Sequence, residues 1–169
     1  MRKKLGRSTN LVRPQAPPLP AGNLIFERTF AATSEAKIET LEALLAALLS
    51  AGALSGESAE LRFRLCLDEA LVNAVMHGNR YDAAKSVRVR AFIDPKSWSV
   101  LVEDEGAGFR EEDLPDPQAA ENLLEESGRG VHLIRSMMDE VSYWSGGAAL
   151  LMVKFHRRGT EKNGLNQPS

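Results

Sequence analysis

Cysteine, aromatic residues and long apolar runs are all scarce in this chain. Cys66 is the one cysteine in 169 residues, which excludes an internal disulfide and cannot alone build a zinc site. No apolar run reaches the roughly 18 residues of a membrane-spanning helix, and the basic start lacks the apolar middle of a secretory signal. The net charge of −2 gives no reason to expect direct nucleic-acid binding. We therefore expect a protein of the reducing cytoplasm with no membrane segment.

The composition otherwise fits one globular domain flanked by two tails. Residues 1–22 contain five basic residues, no acidic residue and four of the eight prolines, so we expect a disordered tail there. A solvated terminus is favoured for this tail over a phosphate- or partner-binding arm. Residues 159–169 are polar and are expected to form a second disordered tail. The predicted domain is 23–158, a length that can bury a core.

Hydrophobic periodicity and turn residues divide this domain into helices and strands. The predicted order begins with a strand within 23–33, a helix capped by Ser34 and ending near Ser50, and a helix from about Ser58 through His77. Two strands follow, at 85–94 and 97–105, joined at Asp94-Pro95. An irregular acidic segment at 109–127, a helix within 128–141 and a hairpin around Gly146-Gly147 complete the domain. Sequential strands joined by short turns indicate an α/β two-layer sandwich, with a mixed, mostly antiparallel sheet and helices on one face.

The stretch LDEALVNAVMHGNR places three polar residues, Glu69, Asn73 and His77, four apart in a mostly apolar helix. Four residues advance a helix by about 40°, so these side chains share one face. Arg64 and Asp68, a candidate i, i+4 ion pair, lie roughly opposite and provide a separate polar side. Buried polar groups need partners, which favours a ligand site over a structural network. His77 could instead cap carbonyls at the helix end.

A metal at this stripe is predicted to be magnesium. Glu69 and Asn73 supply oxygen ligands, which suit Mg²⁺ held partly by phosphates and water. Zinc is disfavoured, because no second His or Cys is suitably spaced near His77.

The second motif is VEDEGAGF, where an apolar strand ends in Asp104 and is followed by Gly106 and Gly108. Glycine lets the backbone approach a planar ligand closely. An aspartate fixed at the strand end can accept a hydrogen bond from the amino group of adenine, and would select ATP over GTP. An ordinary Asp-Gly turn is the alternative, and this motif alone would favour it.

The third motif is ESGRGVHLIRSMMDEV, in which Gly128 and Gly130 precede an amphipathic helix. A glycine-rich segment that opens a helix offers backbone N–H groups and the positive end of the helix dipole to phosphates. The segment is neither a P-loop nor a complete dinucleotide fingerprint. An ordinary helix start is the alternative for this motif taken alone.

In this order the three motifs resemble the GHKL ATPase superfamily, which includes gyrase B, Hsp90, histidine kinases and MutL and uses the Bergerat ATP-binding fold. E-x-x-x-N-x-x-x-H-G, from Glu69 to Gly78, is similar to the N-box of anti-sigma factor serine/threonine kinases. D-x-G-x-G-F, from Asp104 to Phe109, is similar to the first glycine box of the same family. The segment from Ser127 to Val141 is similar to its second glycine box. The resemblance covers about residues 24–157.

The resemblance implies a role for each matching position. Glu69 would be the general base that takes the proton of a substrate hydroxyl, and Asn73 would bind Mg²⁺ at the ATP phosphates. Asp104 would bind the adenine amino group, and Gly106 and Gly108 would shape the pocket. The lid over the triphosphate would include Ser127, Gly128, Arg129, Gly130 and Val131, and His77 would belong to the pocket wall.

The same resemblance implies an anti-sigma regulatory factor with ATP-dependent protein serine/threonine kinase activity. Such a protein binds a sigma factor of RNA polymerase, phosphorylates a STAS-domain anti-anti-sigma antagonist, and is usually a homodimer. A nucleotide-binding sequestering module with little or no kinase activity is one alternative. A histidine kinase catalytic domain is another, disfavoured because residues 1–22 cannot form a phosphoacceptor hairpin. One departure is Ala148-Ala149, where relatives commonly place a threonine that touches the nucleotide.

Overall fold

The computed structural model describes residues 17–107, 126–145 and 148–156, without the side chains of 126–129. The predictions made for the two tails, the acidic segment, Gly108 and Gly146-Gly147 fall wholly or largely outside the described residues. The elements are β1 Asn23–Ala31, α1 Ser34–Ser50, α2 Glu57–Val72, a π-helix Asn73–Gly78, β2 Ser86–Ile93, β3 Ser97–Asp104, α3 Glu126–Met137, β4 Glu140–Trp144 and β5 Ala149–Phe155.

The five strands form one open sheet in the order β1-β2-β3-β5-β4. All four pairings of the described strands are antiparallel. The turn at Asp94-Pro95 joins β2 to β3, and Val89 pairs with Val102 in their register. Strands β4 and β5 pair as the predicted hairpin, with Tyr143 opposite Leu150. The α/β two-layer fold predicted from the sequence is therefore confirmed.

The core lies between the sheet and the helices. Alternate residues of β2, Val87, Val89 and Ala91, are fully buried and belong to the same cluster as Leu44 and Leu71 of the helices. This is what period-2 alternation in a strand predicts for a half-buried sheet. Burial raises the pKa of the Cys66 thiol in this core to about 12, so Cys66 behaves as a small apolar residue. Among the described residues, no helix combines the length and hydropathy needed to cross a bilayer.

Helix α1 has the predicted bounds but a different N-cap. The Thr33 hydroxyl, not that of Ser34, accepts the N–H of Ala36 at 3.3 Å. Thr33 has extended backbone angles, φ −117° and ψ 158°, which an N-cap residue requires, whereas Ser34 is already helical. The helix ends at Ala51 and Gly52 as predicted, and Gly52 has a φ of +73° that glycine adopts without steric strain.

The predicted ion pair between Arg64 and Asp68 is wrong. Arg64 instead pairs with Glu42 of α1 and, at 3.6 Å, with Glu60, while Asp68 pairs with Lys37 of α1. Helix α1 packs beside α2 and offers oppositely charged partners to both residues. The polar side of α2 therefore faces α1 and forms ion pairs with it.

Candidate functional site

The helix that carries the polar stripe changes its winding within the stripe. It was predicted to run as one helix through His77, but the α-helix ends at Val72 and a six-residue π-helix follows, Asn73–Gly78. Its last bond joins the N–H of Asn79 to the carbonyl of Ala74, five residues back, at 2.8 Å. A π-turn shifts the side chains after it around the helix axis. Glu69 and Asn73 stay half-buried, whereas His77 is exposed.

Asp104 ends β3 directly beside the end of the π-helix. A Cβ atom placed on Gly78 would lie 2.4 Å from Asp104 Cγ, so only glycine fits there without a shift. Gly106 donates its N–H to Asp104 Oδ1 at 2.7 Å. Burial raises the pKa of Asp104 from 3.8 to about 6, against the opposing effects of the Gly106 N–H and Lys85. The carboxylate is therefore held by the backbone and partly withdrawn from water.

Asn79 holds this arrangement together and is not among the site residues predicted from the sequence. Its side chain is fully buried. The amide donates to the Ser86 carbonyl at 2.8 Å, and its oxygen accepts the N–H of Glu105 at 2.9 Å. One residue thus joins the π-helix, the start of β2 and the turn after Asp104. An Asn after Gly at a helix end is also an ordinary stop signal, so the sequence offered little to distinguish this role.

The glycine-rich segment was predicted as a loop before the third helix, but α3 already begins at Glu126. The backbone of Ser127, Gly128 and Arg129 therefore lies in the first turn. Glycine in a helix costs about 1 kcal/mol relative to alanine but does not prevent helix formation. The N–H groups in the first turn of any α-helix lack an intrahelical acceptor, and here they include those of residues 126–128.

Gly130 brings α3 against the polar stripe. A Cβ atom on Gly130 would lie 2.5 Å from Glu69 Oε2 and 3.8 Å from Asn73 Nδ2. The next residue, Val131, is buried. The start of α3 therefore lies beside the predicted base and the predicted metal ligand. The Arg129 side chain lies outside the described residues.

Two groups of predicted residues result, one at each end of the π-helix. Glu69, Asn73 and Gly130 lie near its first residue, and Asp104 and Gly106 lie against its last residue, Gly78. A ligand that spans both groups would meet a carboxylate at one end. At the other end it would meet an amide, a second carboxylate and a helix start, which can accommodate phosphates.

The donors near Gly130 suit magnesium better than a metal held by protein alone. Among the described residues, no group of three or more His, Cys, Asp or Glu side chains could hold a metal ion. One amide oxygen beside one carboxylate leaves most positions for phosphate oxygens and water, which is how Mg²⁺ is usually bound. The residues present therefore fit Mg²⁺ that arrives with a nucleotide.

Comparison with known families agrees with this fold. The family described as "Histidine kinase-like ATPase domain" matches residues 30–154, which is more than half of the chain. The protein therefore belongs to the histidine kinase-like ATPase family.

Similar curated proteins carry regulatory and kinase names. The anti-sigma F factor of Clostridium perfringens is 32% identical over 84 residues, which cover 48% of this chain and 60% of that protein. The serine-protein kinase RsbW of Bacillus subtilis is 30% identical over 99 residues, 54% of this chain and 62% of that protein. RsbW of Bacillus licheniformis is 29% identical over 102 residues, which cover 56% of this chain and 64% of that protein. The chain thus spans less than two thirds of the length of these relatives.

Proposed function

We propose that this protein is an anti-sigma regulator with ATP-dependent protein serine/threonine kinase activity. It would sequester a sigma factor of RNA polymerase and phosphorylate a STAS-domain antagonist of that sequestration. The observation that carries the proposal is the placement of Glu69 and Asn73 beside the start of α3. The names of the anti-sigma F factor and of RsbW support it. A homodimer in the cytoplasm, with 23–158 as the catalytic domain, belongs to the same proposal.

The proposed ATP site uses both groups of residues. Asp104 accepts a hydrogen bond from the adenine amino group, while Gly78 and Gly106 keep side chains away from the base. Asn73 would hold Mg²⁺ together with the phosphate oxygens. The bound ion would neutralise negative charge on the triphosphate. The N–H groups at the start of α3 supply further hydrogen-bond donors to it.

Glu69 is the proposed general base for transfer. The hydroxyl oxygen of the antagonist's Ser or Thr forms a bond to the γ-phosphorus, and the bond from that phosphorus to the β,γ-bridging oxygen breaks. ADP leaves with the electron pair of the broken bond, and the Glu69 carboxylate takes the hydroxyl proton. Phosphoryl transfer mainly requires such positioning, with a base that orients the nucleophile.

The test is transfer of labelled γ-phosphate to a candidate STAS-domain protein, with Glu69→Gln as the variant. We expect transfer to fall by about 100-fold or more, since general bases contribute roughly that much, while ATP affinity is retained. Glu57→Gln, at the exposed first residue of the same helix, is the matched control and should transfer normally. An acid-stable product indicates phosphoserine or phosphothreonine, whereas an acid-labile one would indicate a histidine kinase.

A second candidate is a nucleotide-binding sequestering module with little kinase activity. Ala148 and Ala149 are buried and carry no hydroxyl at the position where the resemblance implies a threonine contact with the nucleotide. Bound ATP without transfer by the unaltered protein to any STAS-domain candidate would overturn the kinase proposal in favour of this one.

A further inference from the structure

A second recess lies at the end of the sheet opposite Asp104. It is a cavity of about 550 Å³, and its lining includes Arg62, Phe63, Trp98, Ser136, Lys154 and His156. Trp98 pairs with Lys154 near the start of β3, whereas Asp104 is the last residue of that strand. Six residues of strand span about 20 Å. The cavity is therefore separate from the proposed ATP site.

Arg62 and Lys154, the charged side chains that line this cavity among the described residues, are both basic. Lys154 is neutralised by Asp139, with Nζ 3.0 Å from Oδ1. His156 Nε2 lies 3.2 Å from the backbone oxygen of Asp94. Within the described residues, Arg62 makes one hydrogen bond, from Nε to the Ser58 carbonyl at 3.2 Å. No carboxylate in the described part of the chain pairs with Arg62, so its charge is not matched within that part.

Aromatic side chains form the apolar wall of the cavity. Phe63 and Trp98 meet edge to face, with ring centroids 5.1 Å apart and an angle of 82° between the rings. Trp98 is almost fully buried, and Phe155 at the rim is 47% exposed. A guanidinium that has no carboxylate partner in the described part of the chain, beside such a wall, suits a ligand with an anionic group on an apolar body.

We propose that this cavity binds a small molecule with a phosphate or carboxylate group on an aromatic body, independently of the ATP site. Its volume lies in the range of roughly 300–1,000 Å³ that is typical of small-molecule sites. Arg62 is the residue that binds the anionic group, and the Phe63–Trp98 pair contacts the ring. Lys154 of β5 and His156, the residue after that strand, line the same cavity.

The test is a titration with phenyl phosphate, followed by the indole N–H resonance of Trp98 in the full chain. A saturating non-hydrolysable ATP analogue occupies the proposed ATP site throughout. We expect a saturable shift of Trp98 and a much smaller shift of Trp144. Benzoate in a parallel titration distinguishes a carboxylate from a phosphate ligand, since the preferred anionic group gives the lower Kd.

Arg62→Gln should raise the Kd about 10-fold, the effect expected for loss of a charge-assisted hydrogen bond. The matched control is Arg88→Gln, because Arg88 is exposed and pairs with Glu27 on β1, away from the cavity. Unchanged binding by Arg88→Gln supports the proposal. It would be overturned by the absence of a saturable Trp98 shift with either anion, by an equal Kd for Arg62→Gln, or by phenol binding as tightly as the anions.

Discussion

Glu69 of α2 and Gly130 of α3 are neighbours across two helices, and the space between them is too small for a methyl group. The distance from an ideal Cβ on Gly130 to Glu69 Oε2 would be 2.5 Å. The contacted atom is the end of a flexible side chain, so the carboxylate could move aside with little effect on the fold. A side chain at position 130 would therefore disturb the proposed base more than the structure.

Gly130→Ala tests this relationship. We expect thermal stability to stay equal or rise slightly, because alanine is favoured over glycine in helices by up to about 1 kcal/mol. Phosphate transfer should fall about 10-fold or more, since displacement of Glu69 weakens general-base catalysis. Transfer assays and thermal melts measure the two effects. His132→Ala, at an exposed position on the same helix, should change neither activity nor stability. Full activity in Gly130→Ala would contradict the role of Glu69.

Unlike Gly130→Ala, Gly106→Ala should clearly lower the stability of the protein. A Cβ on Gly106 would lie 2.2 Å from the backbone oxygen of Gly78, which cannot rotate away as a carboxylate can. Either the turn after β3 or the end of the π-helix must move. We expect a loss of about 1–3 kcal/mol, the range typical of overpacked sites, and weaker ATP binding. Urea unfolding of Gly106→Ala and Gly130→Ala side by side is the measurement. A smaller loss in Gly106→Ala than in Gly130→Ala would contradict the backbone clash.

Asn79→Ala should both destabilise the protein and weaken ATP binding. The change leaves the Ser86 carbonyl and the Glu105 N–H without the partners that they have in the structure. An unpaired buried polar group costs about 1–3 kcal/mol. Loss of the Glu105 contact also frees the turn that positions Asp104. Urea midpoints and ATP titration measure both effects, with exposed Asn23→Ala as the control. Unchanged ATP affinity in a folded Asn79→Ala protein would show that Asn79 supports the fold alone.

Much of the fold follows from local pattern. The alternation of Val87, Val89 and Ala91 predicts a strand with one buried face, and the leucines of α1 predict a helix with one buried side. The strand prediction is confirmed, because burial follows the period of 2.0 wherever one face of a sheet packs against helices. The helix prediction is confirmed for Leu41, Leu44, Leu45 and Leu48, whereas Ile38 and Leu49, expected on the same inner side, are exposed. The family resemblance likewise predicted an α/β two-layer fold, since its motifs occur in order along the chain.

The remaining features depend on contacts that no local pattern reveals. The π-helix differs from an α-helix in backbone hydrogen bonding, which the four-residue sequence spacing of Glu69, Asn73 and His77 does not reveal. Arg64 has its partner Glu42 on another helix, 22 residues away in sequence. Asn79 reaches Glu105, 26 residues away. Such pairings become visible only once the helices and strands are packed together.

Asp104 should make the stability of the protein depend on pH between about 4 and 6. Burial raises its pKa from 3.8 to about 6, so the folded protein holds this proton more tightly than the unfolded chain does. The resulting stabilisation is fully present below about pH 4 and is lost as the pH rises through about 6, where unfolding no longer changes protonation. Asp104→Asn removes this titration. The difference in urea midpoint between Asp104→Asn and the unaltered protein should therefore increase from about pH 4.5 to about pH 6.5 and then level off. Parallel pH profiles of the two proteins would show that the Asp104 carboxyl has no raised pKa.

The ionised form of Asp104 above pH 6 is also the form that can accept the adenine amino group at both oxygens, so ATP affinity should rise over the same pH interval.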